Sequence, residues 1–459
     1  MFTRVCMAVA LLIALPLWSQ ANKNESEPEA NTVDQASYQP ALVDKPQIDE
    51  IATPFEIPML IPTSLKFATF QSDDLRNYVR VGGTIITAYS NPVPANADYT
   101  NVTSDISYAI QPLIALNRNS TRLYFMLNYR PGFTFYQRTG DLNNQQTQAV
   151  ALDFQYRLSP HITATLRDSF EKTSNGFNQL DSPTSETAPG APPVTVIAPV
   201  ADQLKNSADA EFTYQFRRDS MMGAQGTFAN QTFPDTAQVP GLYDFGSKEW
   251  CGFYNKRLAR KHYVGMTYQY SQFSAYGVNP GSEAKTHTAA LFFAFYAKPT
   301  LSFFLSAGPQ HVEVAQSPSP TYRSWSPTGT ASMDWKGQYS TLVISYVRLV
   351  SGVQGLFGAY DSSNANMVAS GRLTRTWNVE ARAGYAINKN VTSFLPLAGP
   401  GGHSISGKIS FQHSFTQHLK TELGYLQVYQ SYPGIPLISK APDANRGFVS
   451  LTYQFDRPL

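Results

Sequence analysis

The chain has 459 residues and a formal net charge of +2, and only 15% of its residues are charged. Soluble domains usually contain about 25% charged residues. Aromatic residues make up 13% of the chain, with 26 Tyr and 28 Phe. The near-neutral charge excludes a strongly basic surface of the kind that binds nucleic acid. Beyond the N-terminus, the longest apolar run is Ala289–Ala297, well short of the roughly 20 residues of a membrane helix.

The N-terminus has the features of a secretory signal peptide. Arg4 precedes a short apolar run, Val5–Leu17, and Ser19-Gln20-Ala21 supplies a small-x-small cleavage site. The run is too short to anchor the chain as a membrane helix, so residues 1–21 are predicted to be removed after export. Only Cys251 would then remain as a thiol. It is expected to be a packed small side chain, and no internal disulfide framework is possible.

Residues 22–78 differ in composition from the rest of the chain. They begin with an acidic, polar stretch, and prolines recur from Pro40 to Pro62. Such a composition is typical of disordered or extended chain, and we interpret the segment as a periplasmic lead-in. Its apolar patch, Ile57–Ile61, could instead insert into the mouth of the domain that follows.

The region from Val79 to Phe455 divides into about eighteen segments in which apolar and polar residues alternate, each near the ~10 residues of a membrane-spanning strand. In Val150–Leu158, for example, Val, Leu, Phe, Tyr and Leu share one face, while Ala, Asp, Gln and Arg share the other. Side chains two apart in a strand point to the same side. The apolar face could cover a soluble core, or it could face lipid around a water-filled barrel.

The joins between these segments distinguish the two cases, because short and long joins alternate along the chain. Long joins include Asn91–Thr103, Arg138–Gln146 and Ser174–Lys205, whereas joins such as Ser159-Pro160 and Gly337-Gln338 are tight. An outer-membrane barrel sorts its joins in this way, with tight periplasmic turns and long extracellular loops. The longest loop, Ser174–Lys205, is the predicted constriction or lid.

The last strand carries a more specific signal. Val449, Leu451, Tyr453 and Phe455 alternate with polar residues. This segment resembles the C-terminal signal strand of Gram-negative outer-membrane β-barrel proteins. The resemblance implies a location in the cell outer membrane, contact with its lipid, and recognition of these four residues by the barrel assembly machinery. Most members of that class end at the aromatic residue, whereas residues 456–459 follow here as a tail. The resemblance identifies no particular porin family.

An even strand number is required when both ends of the barrel lie in the periplasm, and the segmentation gives 18 strands within a range of 16–18. Barrels of this size leave an aqueous lumen. The basic side chains predicted to face it outnumber the acidic ones, which favours a weak preference for anions unless the charges pair across strands. The predicted pore-lining residues are Arg80, Arg122, Arg130, Asp153, Arg157, Arg167, Asp209, Glu211, Glu249, Arg257, Arg372, Glu380, Arg382, Lys408, Lys420 and Glu422.

No motif indicates catalysis, a metal site or a cofactor. The seven histidines are scattered, and Gly402–Gly407 lacks the Gly-x-Ser-x-Gly spacing of a nucleophile elbow. We therefore predict a channel rather than an enzyme, with passive diffusion of small hydrophilic solutes. Two alternatives stay open. One is a barrel for export of a polysaccharide or other exopolymer, or for envelope structure, and the other is a barrel-embedded hydrolase.

Overall fold

The structure, a computed structural model, describes residues 77–94, 101–175, 200–234, 242–276, 281–316, 319–352, 356–391, 401–433 and 442–458. The predicted signal peptide and nearly all of the predicted lead-in lie outside these ranges, as does most of the loop Ser174–Lys205. The described part contains one short helix, α1, at Gly140–Asn143, and no helix there has the length and apolar character to cross a membrane.

The rest of the described chain is built from strands. Their bounds are β1 Tyr78–Pro94, β2 Val102–Asn119, β3 Leu123–Tyr136, β4 Gln145–Ser159, β5 Ile162–Asn175, β6 Val200–Arg217, β7 Ser220–Thr232, β8 Asp244–Ala259, β9 His262–Tyr276, β10 Ser282–Lys298, β11 Leu301–Gln316, β12 Ser319–Lys336, β13 Ser340–Gly352, β14 Ala359–Arg372, β15 Trp377–Asn390, β16 Gly402–Ser414, β17 Leu419–Ser431 and β18 Asp443–Pro458.

These strands form a closed barrel. Each strand pairs antiparallel with the strands before and after it in the chain, and β1 pairs with β18 in the register Val81↔Phe455. The structure therefore confirms the predicted antiparallel up-and-down barrel with 18 strands. The last strand is longer than the pattern suggested, because it runs on to Pro458 and places Asp456 opposite Arg80. Most of the predicted C-terminal tail is thus part of the barrel wall.

The strand bounds also give the lengths of the joins. The eight joins at one end contain two to four residues, and the nine at the other end contain up to 24, between Asn175 and Val200. One join at the long end differs from the expected pattern. β11 and β12 stay paired as far as Gln316↔Ser319, so only two residues connect them. There the strands themselves extend, in place of a loop.

The two faces of the wall have opposite polarity. Large apolar side chains on the outer face are exposed, as Ile85 (57%) and Leu291 (69%) show. Trp335 and Trp325 point outward from β12, ten residues apart. At about 3.3 Å per residue and a tilt of about 40°, they bracket a band about 25 Å tall, as an outer-membrane barrel requires. The inner face carries many of the polar residues, such as Gln225, Thr227 and Asp209, together with an apolar patch at Val312 and Val314.

Candidate functional site

The wall of the barrel is irregular between β12 and β13. These strands pair only from Gly329↔Arg348 to Lys336↔Thr341, although β12 continues to Ser319. Beyond this point β13 stays paired with β14 as far as Gly352↔Ala359. We call the described residues at the end of this pair, Arg348–Gly352 and Ala359–Asp361, the inner hairpin. We call the place where the wall divides the seam.

The inner hairpin lies inside the barrel. Its face that carries Val350 packs against the inner surface of the wall. Val350 belongs to a buried cluster with Phe273, Val312 and Val314, which lie on the inner faces of β9 and β11. The side-chain Nε2 of Gln310 donates to the Val350 backbone carbonyl at 2.9 Å, and the Val350 N–H donates to the side-chain Oε1 of Gln310 at 2.8 Å. Burial of these apolar groups away from the water of the lumen stabilises the inward position. The hairpin therefore narrows the lumen in the half nearer the long joins.

A cavity of about 90 Å³ lies between the inner hairpin and the wall. One side of its lining is polar and includes Glu249, Gln269 and Thr330, while Val347 and Leu349 form part of its apolar side. Thr330 and Val347 are register partners next to the end of the β12–β13 pairing. The cavity therefore borders the seam.

The register locates the residues that were predicted to line the pore. Arg122 lies in the tight turn between β2 and β3, where it is exposed. The others lie on inward-facing positions of the strands. The register also gives inward positions to charged residues that sequence reasoning missed, namely the acidic Asp105, Glu171, Asp334 and Asp456 and the basic Lys205, Lys336 and Arg446. These additions carry both signs.

Several of the inward charges form ion pairs. Arg80 contacts Asp456 at 2.6 Å, and Arg382 contacts Glu380 at 2.6 Å. Arg167 lies between two carboxylates, at 3.6 Å from Asp153 and 3.5 Å from Asp209. The sequence pattern could not decide whether the inward charges pair across strands. Such pairing reduces the net electric field that acts on an ion in the lumen.

The inward charges, including those in ion pairs, are distributed unevenly around the lumen. Arg130, Lys408, Lys420 and Arg446, together with the acidic Glu171 and Glu422, line one cavity of about 310 Å³ along the wall from β16 through β18 and β1 to β5. Asp209, Glu211 and Glu249 lie on the inner faces of β6 and β8. We call these the basic face and the acidic face. Opposed faces of this kind produce a field across the lumen, where charged side chains set ion preference.

Removal of the Arg167 guanidinium should destabilise the barrel. Asp209 is only 2% exposed, and its carboxylate also accepts from Gln225 and from Thr227 at 3.3 Å. We expect Arg167→Met to lower the free energy of unfolding by about 1–3 kcal/mol, because a buried carboxylate loses its cationic partner. Urea unfolding, followed by loss of the heat-modifiable band, measures this change. The double variant Arg167→Met/Asp209→Asn should recover much of the loss, and no recovery would contradict the pairing.

Gln310 should control how firmly the inner hairpin is held. Gln310→Leu keeps the approximate size of the side chain but removes both hydrogen bonds to Val350, at a cost of about 1–3 kcal/mol for each buried group left unpaired. We expect the current through single channels to become noisier, with steps to a higher conductance as the hairpin detaches. Gln412→Leu, the same change on the inner face of β16, is the matched control and should give quiet channels.

One sequence signal for the seam was available. Proline cannot donate to a ladder and is found at sheet edges, and β12 contains Pro320 and Pro327, the latter two residues from Gly329. The predicted constriction, Ser174–Lys205, falls mostly outside the described residues. Its final residues, from Val200, belong to β6 and not to a loop.

The described strands and joins contain no group of three or more His, Cys, Asp and Glu side chains that could hold a metal ion. Cys251 is buried on the inner face of β8, where it pairs in register with Gln225 and Gln269.

The register and the two faces define the class of this chain, which is a closed antiparallel β-barrel of the transmembrane type. None of the protein-family models matches the chain, and no curated protein matches it. Similar solved structures include OpdL of Pseudomonas aeruginosa, with 8% identity over 83% of this chain and 99% of that one, at a TM-score of 0.40. The outer membrane protein OpdK of the same organism has 9% identity over 83% and 99%, with a TM-score of 0.40. OccAB4 of Acinetobacter baumannii has 10% identity over 84% and 100%, also at 0.40.

Proposed function

We propose that this chain is a channel of the Gram-negative outer membrane through which small hydrophilic solutes diffuse passively. The observation that carries the proposal is the closed 18-stranded wall, apolar outside and charged inside. A barrel with this many strands is too wide for its own side chains to fill. The outer-membrane location is supported by the ~25 Å band and by the outward row Val449, Leu451, Tyr453 and Phe455, which would be read by the barrel assembly machinery.

The proposal extends to selectivity. Solutes would pass between the basic face and the acidic face, beside the inner hairpin. Because Lys408 is 4.0 Å from Glu422 and Arg167 contacts two carboxylates, much of the basic excess is compensated. We therefore propose at most a weak preference for anions.

Conductance of the purified mature chain in planar bilayers, with a salt gradient for the reversal potential, tests this function. Stable steps and a reversal potential slightly toward the anion value would support a channel. A correctly folded barrel without conductance would reject it, and would favour the exporter or the barrel-embedded hydrolase. Heat modifiability on gels is the control that the preparation is folded.

A further inference from the structure

The seam places an unpaired strand edge at a depth where lipid is expected. Gly329, where β12–β13 pairing ends, is six residues from Trp335 and four from Trp325. At ~3.3 Å per residue, Gly329 lies roughly 13 Å along the strand from Trp325, the tryptophan nearer the long joins, and therefore within the apolar band. Among the described strands, the β12 edge from Ser324 to Thr328 has no ladder partner on the β13 side.

An open edge of this kind is not stable against hydrocarbon, because each unsatisfied backbone group there costs several kcal/mol. The surroundings of the seam show how the edge is solvated. Ser324, Ser326 and Thr328 occupy inward positions on β12, and the Thr328 hydroxyl donates to the Arg348 carbonyl at 2.9 Å. The seam is therefore lined by polar groups that water in the lumen can reach.

A charged pair lies at the seam, where Arg348 donates to Asp361 at 2.8 and 3.2 Å. Arg348 keeps the outward position of its register partner Gly329, whereas Asp361 is the partner of Val350, on the face of the hairpin that packs against the inside of the wall. An outward arginine costs about 2–4 kcal/mol in the middle of a bilayer. Its side chain is nevertheless 41% exposed. The pair is accommodated if it faces a wet opening in the wall rather than lipid chains.

The cavity under the inner hairpin lies behind this opening, and its lining is partly apolar and partly polar. Val347, Leu349 and Phe273 are apolar, whereas Glu249, Gln269 and Ser271 are polar. A ligand that fits such a lining has an apolar chain and a polar head, and the volume suits the end of a chain of a few methylene groups.

We propose that the seam is a lateral portal through which a single-chain amphiphile passes between the barrel lumen and the outer leaflet, with its chain bound in the cavity at Val347 and Leu349. The inference rests on the bilayer location in the proposed function, but it does not require that small solutes also cross the lumen. The polar seam would pass the head group, while the cavity removes the apolar chain from water.

Photolabelling of the full mature chain in lipid vesicles tests the portal, with dodecanoic acid that carries a diazirine in its chain as the probe. Mass spectrometry should find adducts on Val347, Leu349 or Thr330, in addition to adducts on the lipid-facing surface. Val347→Trp fills the cavity and should abolish the cavity adducts while leaving those on the outer surface. Leu349→Trp is the second blocking variant if Val347→Trp does not fold.

Val343→Trp is the matched control, because Val343 also points inward from β13 but does not line the cavity. Its cavity adducts should persist. Adducts confined to outward residues such as Ala331, at equal levels in every variant, would overturn the portal. Conductance of the same preparations separates the two proposals. An open channel without cavity adducts rejects only the portal, and cavity adducts in a closed barrel reject only the channel.

Discussion

Shortening the inner hairpin should raise single-channel conductance by about twofold or more, because the narrowest part of a pore dominates its resistance. The variant removes residues 350–361 and joins Leu349 to Ser362 through Asn-Gly. Leu349 and Ser362 are register partners, and a two-residue Asn-Gly turn closes an antiparallel pair of strands. The change deletes Val350 and with it the contact that holds the hairpin against β9 and β11. Conductance in planar bilayers measures the result.

The control for this deletion is a variant in which another join at the same end of the barrel is shortened. Replacing residues 277–281 by Asn-Gly shortens the β9–β10 join, whose strands remain paired in the wall as far as Ser282↔Ala275. This variant should conduct like the unaltered chain. Equal conductance in all three proteins, each heat-modifiable, would show that the inner hairpin does not limit the pore.

Reversal of the basic face should change the sign of the ion preference. In the variant Lys408→Glu/Lys420→Glu, two inward cations become anions beside Glu422, so the field that attracts anions is replaced by one that attracts cations. We expect the ratio of chloride to potassium permeability to fall by about threefold or more. The reversal potential in a KCl gradient measures this ratio.

Lys248→Glu is the matched control for this experiment. Lys248 is exposed and points outward from β8, because it is the register partner of the outward Phe228. Its reversal should leave the permeability ratio unchanged. A similar shift in both variants would mean that the effect comes from overall charge and not from the lumen, and no shift in either would place the path of the ions elsewhere.

The architecture could be predicted from local patterns because a transmembrane barrel imposes them strand by strand. Alternation in segments such as Val150–Leu158 assigns each residue to lipid or water, and the tight turns fix which strands are neighbours. Inward positions of Asp153, Glu380 and Lys408 follow from that alternation alone. The partner of Arg80 did not follow, because Asp456 lies at the far end of the chain and meets it only when β18 closes on β1.

The seam and the inner hairpin could not be predicted in this way. Residues on both sides of Gly329 keep the same alternation, so the pattern is equally compatible with a continuous wall and with a divided one. What decides the matter is the packing of Val350 on Val312 and Val314 and the two hydrogen bonds to Gln310, 40 residues away. The sequence by itself determined the barrel, its strand number and its two faces, because these depend on period and turn length. Only the tertiary structure decided where the wall opens and what narrows the lumen, because both depend on contacts between residues distant in the chain.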